Sequence, residues 1–188
     1  MRKVILQEWV TIDGFAAGPN GETDFVASPE FNKSSDDDVL RFMDTIDTIL
    51  LGAVTYRLFV DFWPATTTDT EIIADKLNAT PKIVFSKTLD KAPWGKWDEA
   101  VVVKKSATEE IIKLKKQPGK SMVLWGSISL AQSLMKVGLI DEYQLRICPV
   151  AIGNGKQLFP DDIGTLNMKH LETKTYDSGM VLLRYQPA

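Results

Sequence analysis

Segments that predict strands and segments that predict helices alternate along the first 137 residues, and this alternation most limits the possible fold. Short apolar and β-branched runs such as Val4–Ile12 predict buried strands. After residue 137 strands dominate: Glu142–Ile152 predicts a long strand, and Lys169–Tyr176 with Met180–Tyr185 predict a hairpin. This order predicts an α/β fold in which helices flank a mainly parallel sheet that ends in an antiparallel hairpin.

The other predicted elements follow from apolar spacing and from glycine and proline positions. The predicted strands are Thr48–Leu51, Lys82–Phe85, Ala100–Val103 and Ser121–Trp125, and the predicted helices are Asp36–Asp47, Val54–Phe62, Thr70–Leu77, Ser106–Lys116 and residues 127–137. Pro149 lies inside the segment Glu142–Ile152, which indicates an edge strand or a bulge. The chain has no repeat and no linker, so one domain over residues 1–188 is expected.

Composition excludes several classes of protein. The net charge is −3 over 188 residues, which gives no positive field for general nucleic-acid binding. A single cysteine, Cys148, and a single histidine, His170, argue against an internal disulfide and against a structural metal site. Glu8 interrupts the first apolar run too early for a secretory signal, and no run is long enough to span a bilayer. We therefore expect a cytoplasmic protein.

The junction Trp125-Gly126-Ser127 is the strongest single candidate for a ligand site. A buried strand there meets a helix with a glycine between them and hydroxyl groups in the segment Ser127–Ser129. Free backbone N–H groups and the helix dipole make such a junction suitable for a phosphate group. A plain strand–helix turn capped by Ser127 is the alternative interpretation.

Two further strand ends have the same character. Gly52 follows one strand and Thr55 begins the next helix, while Ser86 and Lys87 follow another strand. Ligands of open α/β sheets bind beyond the carboxyl ends of the strands. Three such ends in one small sheet predict a dinucleotide lying across it, although each end alone is also explained by a capped turn. The glycine fingerprint of the doubly wound dinucleotide fold is absent after the first strand, so a different binding scheme is expected.

Several segments occur in an order and spacing that are specific when they are taken together. They are Asp13-Gly14-Phe15, Gly18-Pro19-Asn20-Gly21, Leu51–Tyr56, Val84–Leu89, Trp125-Gly126-Ser127, Gly138–Tyr143 and Pro149–Phe159. On these segments nearly the whole chain resembles the dihydrofolate reductase-like superfamily. Within it, the sequence is most similar to the branch that includes the reductase domain of the riboflavin-biosynthesis deaminase-reductase.

The resemblance implies a three-layer fold with a central sheet of about eight strands and NADPH along its carboxyl edge. It also implies hydride transfer to a C=N or C=O group of a small pterin- or pyrimidine-like heterocycle, by a homodimer. The cofactor-binding residues that it implies by position are Trp9, Val10, Gly14, Ala16, Gly52, Thr55, Ser86, Lys87, Gly126, Ser127, Ile128 and Ser129. Of these, the last four are expected at the pyrophosphate, and Ser86 and Lys87 at the 2′-phosphate. The loop 16–24 is expected to act as a lid.

The substrate is expected between Trp9, Asp38 and Phe42, with Asp38 supplying or relaying the proton that follows the hydride. The alternative for Asp38 is an acidic first helical turn that the helix dipole favours. Ala53 stands where members of the superfamily often have a cation, which leaves more of the phosphate binding to Lys87. A non-catalytic nucleotide- or ligand-binding regulator that retains the fold is therefore the second functional hypothesis.

Overall fold

A nine-stranded sheet forms the centre of the protein in the computed structural model, which describes residues 1–25 and 34–188. The strands are β1 Val4–Thr11, β2 Phe15–Ala17, β3 Ile46–Gly52, β4 Lys82–Phe85, β5 Ala92–Trp94, β6 Trp97–Val103, β7 Ser121–Trp125, β8 Glu142–Cys148, β9 Lys156–Gln157, β10 Met168–Thr175 and β11 Val181–Pro187. The order across the sheet is β10-β11-β8-β1-β7-β3-β4-β6-β5, and β2 pairs with β9 outside it.

The six central strands, β8-β1-β7-β3-β4-β6, are parallel to one another. At the two ends of the sheet, β11 pairs antiparallel with β8 and with β10, and β5 pairs antiparallel with β6. Leu50 of β3 lies opposite Leu124 of β7, and Gly52 lies opposite Phe85 of β4. The carboxyl ends of these three strands therefore lie at one edge of the sheet. This arrangement confirms the predicted mainly parallel α/β sheet with its C-terminal hairpin, and the nine strands are close to the expected eight.

Helices cover both faces of the sheet. They are α1 Asp36–Met43, α2 Ala53–Phe62, α3 Ala74–Ala79, α4 Ala107–Lys116 and α5 Ile128–Lys136, with a short 3₁₀ turn at Trp63–Ala65. Residues of α4 and α5 pack with Val4, Leu6 and Val10 of β1 in one core. Residues of α1, α2 and α3 pack with Val123 and Trp125 of β7 in a second core on the opposite face. The sheet therefore separates two apolar layers, as a three-layer fold requires.

Three predicted elements differ from the structure. Strand β8 ends at Cys148, so Pro149 lies just outside it, and β8 is an interior strand between β1 and β11 rather than an edge strand. Helix α1 ends at Met43, four residues before its predicted end at Asp47, because β3 already begins at Ile46. The helix predicted at Thr70–Leu77 is found at Ala74–Ala79, because residues 70–73 form a turn region before it. The short strand β5 was not predicted, since it has no apolar alternation.

A buried lysine closes the C-terminal end of α3. Lys82 Nζ donates hydrogen bonds to the carbonyl oxygens of Leu77, Asn78 and Thr80 at 2.7–2.8 Å. Burial lowers the pKa of Lys82 to about 7, while three acceptors match the three N–H donors of the ammonium form. The side chain of Asn78 also accepts a hydrogen bond from Trp94 Nε1 at 2.7 Å. This network ties α3 to β4 and β5.

Within the described ranges, no helix combines the length and apolar character that crossing a membrane requires. The cytoplasmic location and the single domain over residues 1–188 stay predictions.

Candidate active site at the carboxyl edge of the sheet

A cleft of about 1570 Å³ opens at the carboxyl edge of the sheet, above the ends of β1 and β7. Its walls come from α2, from the first turn of α5, from the start of α1, and from the loops around residues 15–23 and 154–162. The cleft is larger than the roughly 300–1,000 Å³ of a typical ligand pocket. Of the predicted cofactor residues, those that line it are Trp9, Ala16, Thr55, Gly126, Ser127, Ile128 and Ser129.

Three hydrogen bonds connect the junction between β7 and α5 to the start of α2. Thr55 Oγ1 accepts hydrogen bonds from both the backbone N–H of Ser127, at 2.8 Å, and its hydroxyl, at 2.9 Å. The backbone N–H of Gly52 in turn donates to Ser127 Oγ at 2.6 Å. A Cβ on Gly126 would lie 3.0 Å from Thr55 Oγ1, and the residue has a φ of 53°, so close packing and backbone conformation both favour glycine here.

Ser127 is the one non-glycine residue with a positive φ in the described part of the chain, at φ 58° and ψ 50°. The left-handed region costs such a residue roughly 1–2 kcal/mol, and strain of this kind concentrates at functional sites. Because its hydroxyl bonds Thr55, Ser127 makes no side-chain capping bond to α5. Ser127 therefore occupies the N-cap position of α5 without capping the helix through its side chain.

Two helix N-termini lie side by side at this junction without side-chain caps. Helix α5 begins at Ile128 and α2 begins at Ala53, after Gly52, and neither has a capping side chain. The first N–H groups of a helix have no partner inside it. Val54 and Thr55 of α2 and Ile128 and Ser129 of α5 line the cleft, so the dipoles of both helices favour negative charge there.

The wall that α2 contributes to the cleft is apolar and aromatic. Val54, Leu58 and Phe62 are spaced four residues apart and are 70%, 55% and 47% exposed. This spacing places them on one face of the helix, and that face lines the cleft rather than the core. Phe59 lies beside them, with its ring centroid 6.3 Å from that of Trp125. Such a surface suits a flat aromatic ligand.

The Asp13-Gly14-Phe15 segment organises the loops at the mouth of the cleft. The Asp13 carboxylate accepts hydrogen bonds from the Thr11 hydroxyl and from the backbone N–H groups of Ile152, at 3.1 Å, and Gly153, at 2.8 Å. Gly14 lies outside the cleft and turns the chain at φ 89°. Phe15 then enters β2, whose pairing with β9 anchors the base of the loop 16–24. The lid function of that loop stays a prediction.

Glu8, which in the sequence only interrupts an apolar run, lines the floor of the cleft. The residue is 7% exposed, and its Oε2 atom is buried without a hydrogen-bond partner among the described residues. Burial raises the pKa of Glu8 to about 8, and backbone hydrogen bonds from Trp9 and Gly126 lower it by less. The signal in the sequence was a carboxyl group inside a strand whose neighbours, from Val4 to Val10, are mostly apolar.

Some predicted cofactor residues lie outside the lining of the cleft. Val10 is buried in the core, and Gly52 lies behind Ser127, to whose hydroxyl it donates a hydrogen bond. Ser86 is buried, and its Oγ accepts hydrogen bonds from the N–H groups of Thr88 and Leu89 at 3.2 and 3.1 Å, as in a capped turn. Lys87 is exposed on the same turn and enters no ion pair with the described residues. Their contacts with a cofactor stay predictions.

Asp38 and Phe42 do not line this cleft but a smaller one of about 430 Å³. Asp38 forms ion pairs with Arg41 and Lys174 and accepts a hydrogen bond from the Tyr176 hydroxyl at 2.8 Å. Partial burial raises the pKa of Asp38, but hydrogen bonds from Lys174, Tyr176 and Arg41 outweigh burial and lower it to about 2. The geometry therefore places the expected proton donor away from the cleft and in its ionised form at neutral pH.

The remaining chemically reactive residues have local partners. Cys148 is buried, and burial raises the pKa of its thiol to about 11. His170 hydrogen bonds Thr173 at 2.8 Å and packs edge-on against Tyr185. Across residues 1–25 and 34–188, no three His, Cys, Asp or Glu side chains are grouped so that they could hold a metal ion.

Solved structures of similar fold include a riboflavin biosynthesis protein, a deaminase/reductase and a dihydrofolate reductase. A provisionally named riboflavin biosynthesis protein from Shewanella sp. PV-4 gives a TM-score of 0.78 at 21% identity, with 99% of each chain covered. A diaminohydroxyphosphoribosylaminopyrimidine deaminase/5-amino-6-(5-phosphoribosylamino)uracil reductase from Thermotoga maritima gives 0.68 at 13% identity, over 100% of this chain and 57% of that one. Dihydrofolate reductase from Enterococcus faecalis, complexed with NADP(H), gives 0.60 at 12% identity, over 98% and 96%.

Sequence comparison identifies the family. The uncharacterized protein YyaP of Bacillus subtilis (strain 168) is 37% identical over 187 residues, which cover 98% of this chain and 94% of YyaP. The family model described as the RibD C-terminal domain matches residues 2–182. Together with the dihydrofolate reductase-like fold, these matches confirm the resemblance seen in the sequence, and the chain belongs to the RibD C-terminal domain family.

Proposed function

We propose that this protein is an NADPH-dependent reductase that transfers a hydride to a C=N or C=O group of a small pterin- or pyrimidine-like heterocycle. The observation that carries this proposal is the pair of uncapped helix N-termini, of α2 and α5, that meet at the cleft through Thr55 and Ser127. The N-terminal dipoles and the first N–H groups of the two helices suit the two charges of a pyrophosphate.

The residues at this junction fit a dinucleotide. A Cβ on Gly52 would lie 3.2 Å from Ser127 Oγ, so glycine at this strand end lets the α2 and α5 N-termini lie close enough to serve one ligand. Gly126–Ser129 would hold the pyrophosphate, and Thr55 would support them from α2. Ser86 and Lys87, at the end of the adjacent strand β4, would meet the 2′-phosphate of the adenosine. When bound, NADPH supplies the hydride.

The aromatic side of the cleft suits the substrate. Trp9, Phe59, Phe62, Trp63 and Trp125 all line it, and their rings provide stacking surfaces and exclude water from a flat heterocycle. The cleft volume of about 1570 Å³ accommodates a dinucleotide together with a second small molecule. A reductase needs both at once, so the size of the cleft supports the proposal.

Two fold relatives support this assignment by analogy. The Enterococcus faecalis enzyme was solved as an NADP(H) complex, and the Thermotoga maritima protein is named a reductase of a substituted uracil. Both share their fold with this chain at low identity, so the analogy concerns where ligands lie on the sheet rather than which ligands they are.

The test is an assay of NADPH oxidation, followed by its absorbance, with a panel of oxidised and dihydro pterins and of aminopyrimidines. The proposal expects substrate-dependent oxidation of NADPH by the wild type, and strong loss of that rate in Ser127→Tyr, which fills the junction. NADPH binding without oxidation in the presence of any panel member would instead support the non-catalytic regulator. The expected homodimer is a separate prediction, which light scattering on the purified protein tests.

A further inference from the structure

Glu8 is placed in an unusual position for a carboxyl group, in the centre of a parallel sheet. On β1 it lies opposite Leu145 of β8, and the other neighbour of β1 is β7, which ends at Trp125. A carboxylate is seldom buried among such residues unless a cation accompanies it. Among the described residues no charged side chain contributes to the pKa of Glu8, so packing alone does not explain its position.

We propose that Glu8, which lines the floor of the cleft with a buried and unpartnered Oε2 atom, donates the proton that completes the reduction. This inference rests on the proposed function, since it names the acid of that same reaction. The neighbouring Trp9 Nε1 is also buried without a partner. Glu8 therefore keeps hydrogen-bonding capacity on its Oε2 atom that the described protein groups do not use.

The protonation state of Glu8 suits a donor. Burial raises its pKa to about 8, and only backbone hydrogen bonds from Trp9 and Gly126 oppose this rise, with no contribution from a charged side chain. Glu8 therefore carries its proton at neutral pH. The other charged residues that line the cleft are Asp36, Glu71, Lys136, Lys156, Asp161 and Asp162. Lys136 is paired with Asp162 at 2.7 Å.

The proton transfer balances without any further reactant. Hydride addition forms a C–H bond at the carbon of the C=N or C=O group and leaves the former π electrons on the nitrogen or oxygen. That atom uses this electron pair to form an N–H or O–H bond with the proton of Glu8 as the Oε2–H bond breaks. Glu8 is left as a carboxylate. Because its pKa is raised, this carboxylate takes a proton from solvent and returns to the acid form.

Three variants test the donor role: Glu8→Gln, which keeps the shape but has no acidic proton; Glu8→Asp, which keeps the acid on a shorter chain; and Glu109→Gln, a surface control on α4. With the panel member that the wild type reduces best, Glu8→Gln should lower kcat by roughly 10²–10⁴-fold with little change in the Kd for NADPH. The wild-type kcat should fall as pH rises through the pKa of Glu8, and Glu8→Asp should regain part of the lost rate.

A second readout does not depend on activity. Infrared difference spectra of the protein without cofactor should show one protonated-carboxyl band at neutral pH that titrates near pH 8 and is absent in Glu8→Gln. An ionised Glu8 at neutral pH, or a Glu8→Gln variant with wild-type kcat, overturns the donor role and leaves the reductase assignment intact. A wild type that reduces no panel member overturns the proposed function, and the donor role with it.

Discussion

Replacing Glu8 with glutamine should change how the stability of the folded protein depends on pH. In the unfolded chain Glu8 has its ordinary pKa of 4.5, whereas burial in the folded state raises it to about 8. Between these two values the folded state holds a proton that the unfolded state has released. The free energy of unfolding must therefore fall as pH rises through this window. Glutamine carries no such proton, so the variant lacks this dependence.

The size of the effect follows from the two pKa values. Each pH unit between them corresponds to about 1.4 kcal/mol, so a pKa raised from 4.5 to about 8 costs the wild type about 5 kcal/mol at most by pH 9. Below pH 4.5 the side chain at this position is mostly neutral in both proteins, folded or unfolded, so the two should be about equally stable. Above pH 8 the variant should be the more stable protein by several kcal/mol.

Urea denaturation followed by tryptophan fluorescence measures this difference at about pH 5, 7 and 9. All other titrating groups are common to both proteins, so subtracting the two free energies isolates Glu8. The surface variant Glu109→Gln should follow the wild type at every pH. Parallel curves for the wild type and Glu8→Gln would show that Glu8 is ionised when folded, and the reasoning from its burial would fail.

Three further substitutions test separate parts of the structure. Thr55→Val removes the acceptor of both Ser127 hydrogen bonds; it should cost about 1–3 kcal/mol in urea denaturation and weaken NADPH binding, and unchanged values of both would refute the role of these hydrogen bonds. Lys82→Met leaves three carbonyl oxygens without their donor and should cost about 3 kcal/mol; a thermal midpoint equal to that of the wild type would contradict the network. Lys87→Ala should reduce the preference for NADPH over NADH by about tenfold, and a constant affinity ratio would exclude Lys87 from the 2′-phosphate.

The sequence predicted most of the architecture because its strands and helices have regular apolar spacing. The strands Val4–Thr11 and Ser121–Trp125 and the helix that Ser106 precedes follow such patterns closely. Strand β5 was not predicted because its three residues include a proline and give no period to detect. The end of α1 was misplaced because a buried strand begins three residues after the helix, and both segments are apolar.

The candidate site was predicted in part. Glycine and hydroxyl residues at strand ends are local signals, so Gly126–Ser129 and Thr55 were found from the sequence. The partners of a side chain depend on tertiary contacts, and here local reasoning failed. Asp38 was expected to act as the acid, but Lys174 and Tyr176, from the distant C-terminal hairpin, keep it ionised. The raised pKa of Glu8 likewise comes from burial between strands that are far apart in sequence.

NADPH binding at the α2–α5 junction is the central claim, and a fluorescence titration tests it most directly. Five tryptophans are present, and Trp9, Trp63 and Trp125 line the cleft, so bound NADPH should quench their emission. We predict quenching that saturates at micromolar NADPH for the wild type and is strongly weakened for Ser127→Tyr, whose circular dichroism should match the wild type. Absence of saturable quenching in the wild type, or equal affinity in both proteins, would contradict the account.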